Sequence, residues 1–157
     1  MSTFHTDGGG VAFRGSDCKV QCGASTWATR LSQYHRTDAP LLICTYSLPS
    51  LSYLQGILAK RPAGVVLLCH SKFRQRASEV VRTLGIPAYV NPYLHAKFVL
   101  SGKSTVTIGS ANFGDSTWLE VCASFHSADC YEYLRKVFMN ILADPETEYL
   151  RPQEVPQ

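Results

Sequence analysis

The sequence predicts an α/β fold in which a mixed, largely parallel sheet is sandwiched by helices. Two short apolar runs, Leu41–Tyr46 and Val65–Cys69, have the length and continuity of strands that are buried on both faces. Amphipathic segments follow each run at the rhythm expected when helices connect parallel strands. The chain has 157 residues, 45% of them hydrophobic and 17% charged, which suits one core. We therefore expect a single domain over residues 11–143.

The elements of the first half follow from local spacing and from turn residues. Trp27, Leu31 and Tyr34 recur at helical spacing, and Pro49 is tolerated in the first turn of the helix that it opens. Gly85 begins a Gly-Ile-Pro stretch that stops the next helix. In order, the predictions are a flexible lead-in over residues 1–10, an edge strand Val11–Phe13, a helix Trp27–His35, the strand Leu41–Tyr46, a helix from Pro49 through Leu58, the strand Val65–Cys69, a helix Phe73–Leu84 and a strand Ala88–Val90.

The second half changes character after Pro92. Two strand candidates, Leu94–Leu100 and Thr105–Ser110, are separated by Ser-Gly-Lys-Ser, which is typical of a hairpin turn. The remaining predictions are a strand Glu120–Phe125, an amphipathic helix Asp129–Leu142 and a frayed tail over residues 144–157.

Charge and cysteine usage limit the classes of function. Fifteen Lys and Arg against twelve Asp and Glu leave a net charge of +3, which permits a nucleic-acid partner without requiring one. Cys44, Cys69 and Cys122 lie in apolar runs, where a free thiol behaves as a small hydrophobe. Cys18 and Cys22 lack a second pair at zinc-finger distance. With no signal-peptide pattern and no apolar run of membrane length, we expect a cytoplasmic protein with reduced cysteines and without metal, cofactor or membrane insertion.

The segment that is most informative about function lies on the predicted hairpin. On a strand, His95 and Lys97 would share a face, and the hairpin would return Ser110 and Asn112 to the same spot. Gly109 would allow close backbone approach by an anion. The opposite face of the first strand is predicted to belong to the core through Leu94, Ala96, Phe98 and Leu100.

This set of side chains suits attack on phosphorus. Imidazole is a good nucleophile near neutral pH, and Lys97 and Asn112 can neutralise or donate to phosphoryl oxygens. The sequence has no carboxylate cluster of the kind that binds magnesium, so the chemistry need not use a metal.

The same segment resembles the signature of the phospholipase D superfamily. That signature is His-x-Lys with an Asp five positions after the Lys, followed by a Gly-Ser-x-Asn box. The spacing from Lys97 to Gly109 fits it. The resemblance beyond the signature is weaker but extends over most of the chain, from residue 41 to near residue 142.

The resemblance implies a phospholipase D-like fold and a reaction in two steps. His95 would attack phosphorus to form a covalent phosphohistidine, which water then resolves. Lys97, Ser110 and Asn112 would bind the phosphoryl oxygens. Glu120 would hold the imidazole in the correct tautomer, as an Asp does in a Ser-His-Asp triad.

Two departures from the signature matter. Gly102 occupies the Asp position, which is usually structural, and glycine suits the turn expected there. The family also needs two His-x-Lys motifs for each active site, and this chain has one. A symmetric homodimer, as in the small bacterial nucleases of this superfamily, would supply the second motif.

A basic stretch follows the second buried strand. Lys72, Arg74 and Arg76 lie in the predicted first helical turn, where the helix dipole disfavours cations. We therefore expect them to contact substrate phosphates. His70 ends the same strand, where α/β sheets place ligands, but a structural role is favoured for it.

Together these observations predict a metal-independent phosphodiesterase: an endonuclease that cleaves DNA or RNA through a phosphohistidine in a homodimer. One alternative is a lipid hydrolase of the phospholipase D type, which the basic stretch and the lack of an amphipathic membrane-binding segment disfavour. Another is a catalytically degenerate module that binds nucleic acid or protein, an option that Gly102 keeps open.

Overall fold

One mixed sheet forms the centre of the structure. A computed structural model describes residues 11–25, 27, 40–58 and 64–151 of the chain. The strands within these residues are β1 (Ser16–Ser25), β2 (Leu41–Thr45), β3 (Val65–His70), β4 (Ala88–Asn91), β5 (Phe98–Ser101), β6 (Thr105–Gly109), β7 (Ser116–His126) and β8 (Glu148–Leu150). Their order across the sheet is β1-β7-β6-β5-β2-β3-β4-β8.

Parallel pairing is confined to the middle of this sheet. β2 pairs with β3 and β3 with β4 in parallel, and the other neighbouring strands pair antiparallel. Helices α1 (Leu51–Leu58) and α2 (Arg74–Leu84) lie in the connections between the parallel strands. The predicted mixed α/β sheet with helices is confirmed. The prediction that the sheet is largely parallel is wrong, because most neighbouring strands pair antiparallel. β5, β6 and β7 follow one another through short connections, which favour antiparallel pairing.

Helices cover the middle of the sheet on both faces. Successive residues of β2 point to opposite faces, so Ile43 packs in one core and Cys44 in the other. The first core includes Leu54 of α1 and Val80 of α2. The second core includes Phe138 of α3 (Ala128–Leu142). Burial on both faces is the reason that β2 and β3 are continuously apolar.

The predicted stop of α2 at Gly85 is confirmed, whereas α1 begins at Leu51 and not at the predicted Pro49. α2 ends at Gly85, whose φ of 66° is in the left-handed region that glycine adopts without strain. A short 3₁₀ helix, Ser71–Phe73, precedes α2. α3 begins after Ser127, whose side chain accepts a hydrogen bond of 3.3 Å from the backbone N–H of Cys130.

The strand predicted over Leu94–Leu100 begins four residues later than expected. β5 starts at Phe98, which pairs with Cys44, and β2 ends one residue beyond that pair at Thr45. Residues before Lys97 therefore lack a neighbouring β2 residue with which to pair. His95 and Lys97 consequently lie in the loop that leads into β5 and not within a strand.

The two ends of the sheet differ more from the prediction. Strand β1 was not predicted, because its residues are mostly polar and exposed and show no apolar alternation, while no strand forms at Val11–Phe13. At the other edge β8 lies within the segment predicted to be frayed. It pairs with β4 and buries Leu150.

Some predicted elements lie outside the described residues. These are the lead-in over residues 1–10, the helix predicted beyond Trp27 and the end of the tail from residue 152. Trp27 itself is described and buried. Among the helices that the structure describes, none is long and apolar enough to cross a membrane.

Candidate active site

His95 and Lys97 meet in the loop before β5. The Nζ atom of Lys97 lies 3.3 Å from Nδ1 of His95 and donates to the backbone carbonyl of His95 at 2.9 Å. Both side chains contact Tyr46, which follows β2: the ring centroids of Tyr46 and His95 are 4.9 Å apart, and Lys97 Nζ is 5.8 Å from the Tyr46 ring. The loop thus brings together the two residues that the prediction had placed on one strand face. Ala96, which was predicted to be core, is exposed.

Ser110 and Glu120 form the second half of the site, at the end of β6 and on β7. The Ser110 hydroxyl donates to Oε2 of Glu120, and the Ser116 hydroxyl donates to Oε1 at 3.2 Å. The Ser110 hydroxyl in turn accepts from the backbone N–H of Val121 at 3.1 Å. The carboxylate is therefore held by two serines, whereas Nδ1 of His95 contacts Lys97 and makes no hydrogen bond to Glu120 in the described residues.

Electrostatics connects the two halves. Burial lowers the pKa of Lys97 from 10.5, while the negative charge of Glu120 acts in the opposite direction. The backbone also joins the halves, because the N–H of Gly109 donates to the carbonyl of Lys97 at 3.4 Å.

Asn112 is held by its carboxamide oxygen. Oδ1 accepts from the backbone N–H of Ser47 at 3.1 Å, and the hydroxyl of Thr45 lies 3.5 Å away. Because a backbone N–H can only donate, the atom that faces Ser47 must be the oxygen. The amide NH₂ is then on the other side of the carboxamide, where it is available to donate to a bound anion.

Thr45 and Trp27 hold the Gly-Ser-x-Asn segment that contains Asn112, and neither contact was predicted from the sequence. The fully buried hydroxyl of Thr45 accepts from the backbone N–H of Phe113 at 2.8 Å and lies 3.1 Å from the carbonyl of Ser47. The indole N–H of Trp27 donates to the carbonyl of Asn112 at 2.7 Å. A polar residue at the end of an otherwise apolar strand was the available signal for Thr45.

Gly109 has a packing role that was not predicted. A Cβ at this position would lie 2.5 Å from the carbonyl oxygen of Val121 and 2.8 Å from Cα of Cys122. The missing side chain thus lets β6 approach β7, and the approach of an anion to this glycine stays a prediction. Gly102 lies in the β5–β6 turn with a φ of 66°, as expected for a glycine in that turn.

Cys44 and Cys69 are buried, and Cys44 contacts the loop that carries His95 and Lys97. Burial raises the pKa of Cys44 and of Cys69 to about 12, so both thiols stay protonated at neutral pH. The thiol of Cys44 donates a weak hydrogen bond to the carbonyl of Ala96, with a sulfur–oxygen distance of 3.8 Å. Cys44 therefore packs against the loop and Cys69 belongs to the first core, and both are buried free thiols as predicted.

A cavity of about 640 Å³ opens beside Asn112 and Glu120. Leu48, Pro49 and the side of Trp118 form apolar parts of its wall. Trp118 is 78% exposed, which is unusual for an indole, so a large aromatic surface is available next to the candidate phosphoryl site.

Two of the three cations in the basic stretch form ion pairs with glutamates. Arg74 makes a bidentate pair with Glu148, at 2.6 and 2.9 Å, and Arg76 lies 3.3 Å from Glu79. Lys72 is exposed and has no ion pair within the described residues. Of the three cations, Lys72 is thus the one whose charge is not already neutralised.

Metal ligands are not clustered in the described part of the chain. No group of three or more His, Cys, Asp or Glu side chains is placed there to hold a metal ion. The site is built from an imidazole, an ammonium, a carboxamide and a serine-bound carboxylate.

Solved structures with the same fold include members of the family that the signature resembles. The phospholipase D family member Nuc from Salmonella typhimurium aligns with a TM-score of 0.65 and 17% identity, over 86% of this chain and 99% of that chain. The chain has the fold of the phospholipase D superfamily. NucT from Helicobacter pylori aligns with a TM-score of 0.61 and 14% identity, over 81% of this chain and 97% of that chain.

A larger protein shares the phospholipase D fold as well. The phosphatidylserine synthase of Haemophilus influenzae aligns with a TM-score of 0.55 and 11% identity, over 89% of this chain but 42% of that chain. No family model and no curated protein matches the sequence. The resemblance stated from the signature is therefore confirmed for the fold, while activity and substrate rest on the site.

Proposed function

We propose that this chain is a metal-independent phosphodiesterase, an endonuclease that cleaves DNA or RNA through a phosphohistidine intermediate in a homodimer. One observation carries the proposal: the contact between His95 and Lys97 lies in the same site as the oriented Asn112 and the Ser110–Glu120 pair. The site therefore combines a nucleophile with groups that bind a phosphoryl anion.

The first step is attack by Nε2 of His95 on phosphorus. The new N–P bond forms as the P–O bond to the leaving oxygen breaks, and that oxygen takes a proton from the partner's imidazolium. Lys97 and the amide of Asn112 bind the phosphoryl oxygens. Attack by Nε2 requires the neutral tautomer of His95 that has its proton on Nδ1. When Lys97 turns from Nδ1 to the substrate, His95 can exchange its proton with solvent to reach this tautomer, and Nδ1–H then donates to Glu120.

The second step regenerates the enzyme. The partner's imidazole, now neutral, takes a proton from water as that water attacks phosphorus. The N–P bond breaks, and the products are a phosphomonoester and free His95. One His-x-Lys motif per chain is then sufficient, because a two-fold axis beside the site brings a second imidazole to the leaving-group side.

Tyr93 and Trp118 are each 78% exposed, and both flank the motif or its box, so they are available to an interface or a substrate. Phe113, a third apolar residue near the box, is buried and packs against Trp27 with ring centroids 5.0 Å apart. It belongs to the core and is not available to a partner. The aromatic surface of Trp118 beside the cavity favours nucleic acid as the substrate, because every base can stack on an indole.

The test is hydrolysis of bis(p-nitrophenyl) phosphate and of an oligonucleotide in EDTA. We expect turnover of both in chelator, no turnover by His95→Ala, and a phosphoryl adduct on His95 when wild-type reactions are quenched in alkali. His95 is exposed, so His95→Ala should keep the stability of the wild type. Activity that is absent in EDTA and restored by magnesium would contradict the mechanism.

A lipid phosphodiesterase is the second candidate, because a phosphatidylserine synthase shares the fold. Phosphatidylcholine vesicles in the same assay distinguish it from a nuclease. Binding of oligonucleotide without turnover of any diester would instead identify a degenerate binding module.

A further inference from the structure

His70 contacts the same Tyr46 ring as His95, which lies in the loop before β5. It ends β3, and its backbone N–H donates to the carbonyl of Tyr46 at 3.2 Å. The ring centroids of His70 and Tyr46 are 5.0 Å apart, and those of Tyr46 and His95 are 4.9 Å apart. The two imidazoles thus contact the same ring, and their separation cannot exceed the sum of these distances.

The tautomer of His70 is fixed by its own turn. Nδ1 accepts from the backbone N–H of Lys72 at 2.9 Å, and a backbone N–H can only donate. In the neutral imidazole the proton must therefore be on Nε2. Within the described residues this N–H has no hydrogen-bond partner, so a preset donor remains for a ligand at the carboxyl edge of the sheet.

The side chain of Lys72 provides a cation two residues from this donor. Lys72 is exposed and unpaired among the described residues, whereas Arg74 and Arg76 already bind Glu148 and Glu79. A neutral N–H donor two residues from a free ammonium is a combination suited to a phosphate oxygen.

We propose that His70 and Lys72 bind a second phosphate of the substrate strand, beside the phosphate that His95 attacks. The inference rests on the proposed function. Neighbouring phosphates of one strand are about 3.4 Å apart along the axis of duplex DNA. Because His70 and His95 contact the same Tyr46 ring, they are close enough to bind two phosphates that are near each other on one strand. This subsite makes the enzyme specific for a polymer of phosphodiesters, because a substrate with a single phosphate cannot fill it.

A pair of substitutions separates the two nitrogens of His70. His70→Asn retains an acceptor near the position of Nδ1 for the Lys72 N–H and removes the Nε2 donor. His70→Gln places an amide N–H₂ near the position of Nε2. Lys72→Gln removes the cation, and Arg82→Gln is the matched loss of an exposed positive charge at the far end of α2.

The variants are measured in two ways. Turnover of bis(p-nitrophenyl) phosphate, which has one phosphate, is compared with turnover of an oligonucleotide. Binding of the oligonucleotide is also followed by fluorescence anisotropy in the His95→Ala background, so that affinity is measured even where no turnover occurs.

We expect His70→Asn and Lys72→Gln each to weaken oligonucleotide affinity about tenfold, as the loss of one charge-assisted hydrogen bond does. Lys72→Gln should also reduce the log–log salt slope by about 0.7 to 0.9. His70→Gln should recover much of the loss, Arg82→Gln should bind like the wild type, and turnover of the small diester should be unchanged in all four.

Two results would overturn the subsite. The first is unchanged oligonucleotide affinity in His70→Asn and Lys72→Gln, and the second is an equal loss on both substrates. Failure of the wild type to hydrolyse either substrate would reject the proposed chemistry, while the anisotropy measurements would still decide whether the subsite exists.

Discussion

The carboxamide oxygen of Asn112 accepts a hydrogen bond of 3.1 Å from the backbone N–H of Ser47. This contact joins the box after β6 to the turn after β2, two segments that are far apart in the chain. It also fixes which side of the carboxamide carries the NH₂ group. The donor that faces the candidate phosphoryl site is thus set by the fold before substrate binds, which is the condition for electrostatic preorganisation.

Asn112→Asp therefore tests the donor without removing its support. The aspartate keeps an oxygen for the Ser47 N–H but replaces the NH₂ with a negative oxygen that repels a phosphoryl group. We expect kcat for bis(p-nitrophenyl) phosphate to fall about 10²- to 10³-fold, as for the loss of one oxyanion donor. The midpoint of urea unfolding should stay close to that of the wild type. A variant with nearly full turnover would show that Asn112 does not contact the phosphoryl oxygens.

Gly109→Ala tests whether this glycine serves the packing of β6 on β7. Its Cβ would lie 2.8 Å from Cα of Cys122, so the strands must separate. We expect a loss of about 1–3 kcal/mol in the free energy of unfolding, typical of overpacking. Gly56→Ala is the control, because a Cβ there meets nothing within 4 Å and alanine favours a helix interior by about 1 kcal/mol. Equal stability of Gly109→Ala and wild type would return Gly109 to the predicted anion-approach role.

The sequence was most informative where spacing alone determines position. The apolar runs of β2 and β3, the hairpin turn at Gly102 and the helix stop at Gly85 depend on contiguous residues, and each was predicted near its observed place. His95 and Lys97 were correctly brought together, though by a loop and not by strand alternation.

The rest of the site depends on contacts between distant segments. Thr45 and Ser47 orient Asn112, and Trp27 binds its carbonyl, but neither pairing leaves a pattern in contiguous residues. The pairing of Arg74 with Glu148 has the same origin, because β8 had been taken for a frayed tail. Such contacts require the sheet order, which one sequence does not specify.

For bis(p-nitrophenyl) phosphate, whose p-nitrophenolate leaves without needing a proton from the partner's imidazolium, the alkaline limit of activity should reflect Lys97. Burial lowers its pKa from 10.5, so as pH rises its ammonium loses a proton earlier than an ordinary lysine does. In the proposed mechanism the charged form of Lys97 binds the phosphoryl oxygens, so kcat/KM for bis(p-nitrophenyl) phosphate should fall on the alkaline side below pH 10.5. Lys97→Arg stays charged and should move this fall to higher pH. Glu120→Gln removes the charge that raises the pKa of Lys97 and should move the fall to lower pH.

Lys97→Arg and Glu120→Gln control for one another, because they should shift the alkaline fall in kcat/KM (the alkaline limb of the pH profile) in opposite directions. Glu79→Gln removes a carboxylate that pairs with Arg76 on α2 and should leave the limb unchanged. An alkaline limb that stays in place in Lys97→Arg would show that another group is titrating.

The homodimer predicts a particular dependence on subunit composition. In the proposed mechanism each reaction needs one His95 as the nucleophile and a second as the acid, and each chain has a single His-x-Lys motif. When wild-type chains exchange with excess His95→Ala chains, a mixed dimer has one of the two imidazoles and should be inactive. Activity per wild-type chain should then fall in proportion to the wild-type fraction, so that total activity follows its square. The control is exchange with Arg82→Gln chains, which should leave activity unchanged. Total activity that follows the wild-type fraction linearly, or full turnover by a protein that sediments as a monomer at assay concentration, would show that one chain holds a complete site.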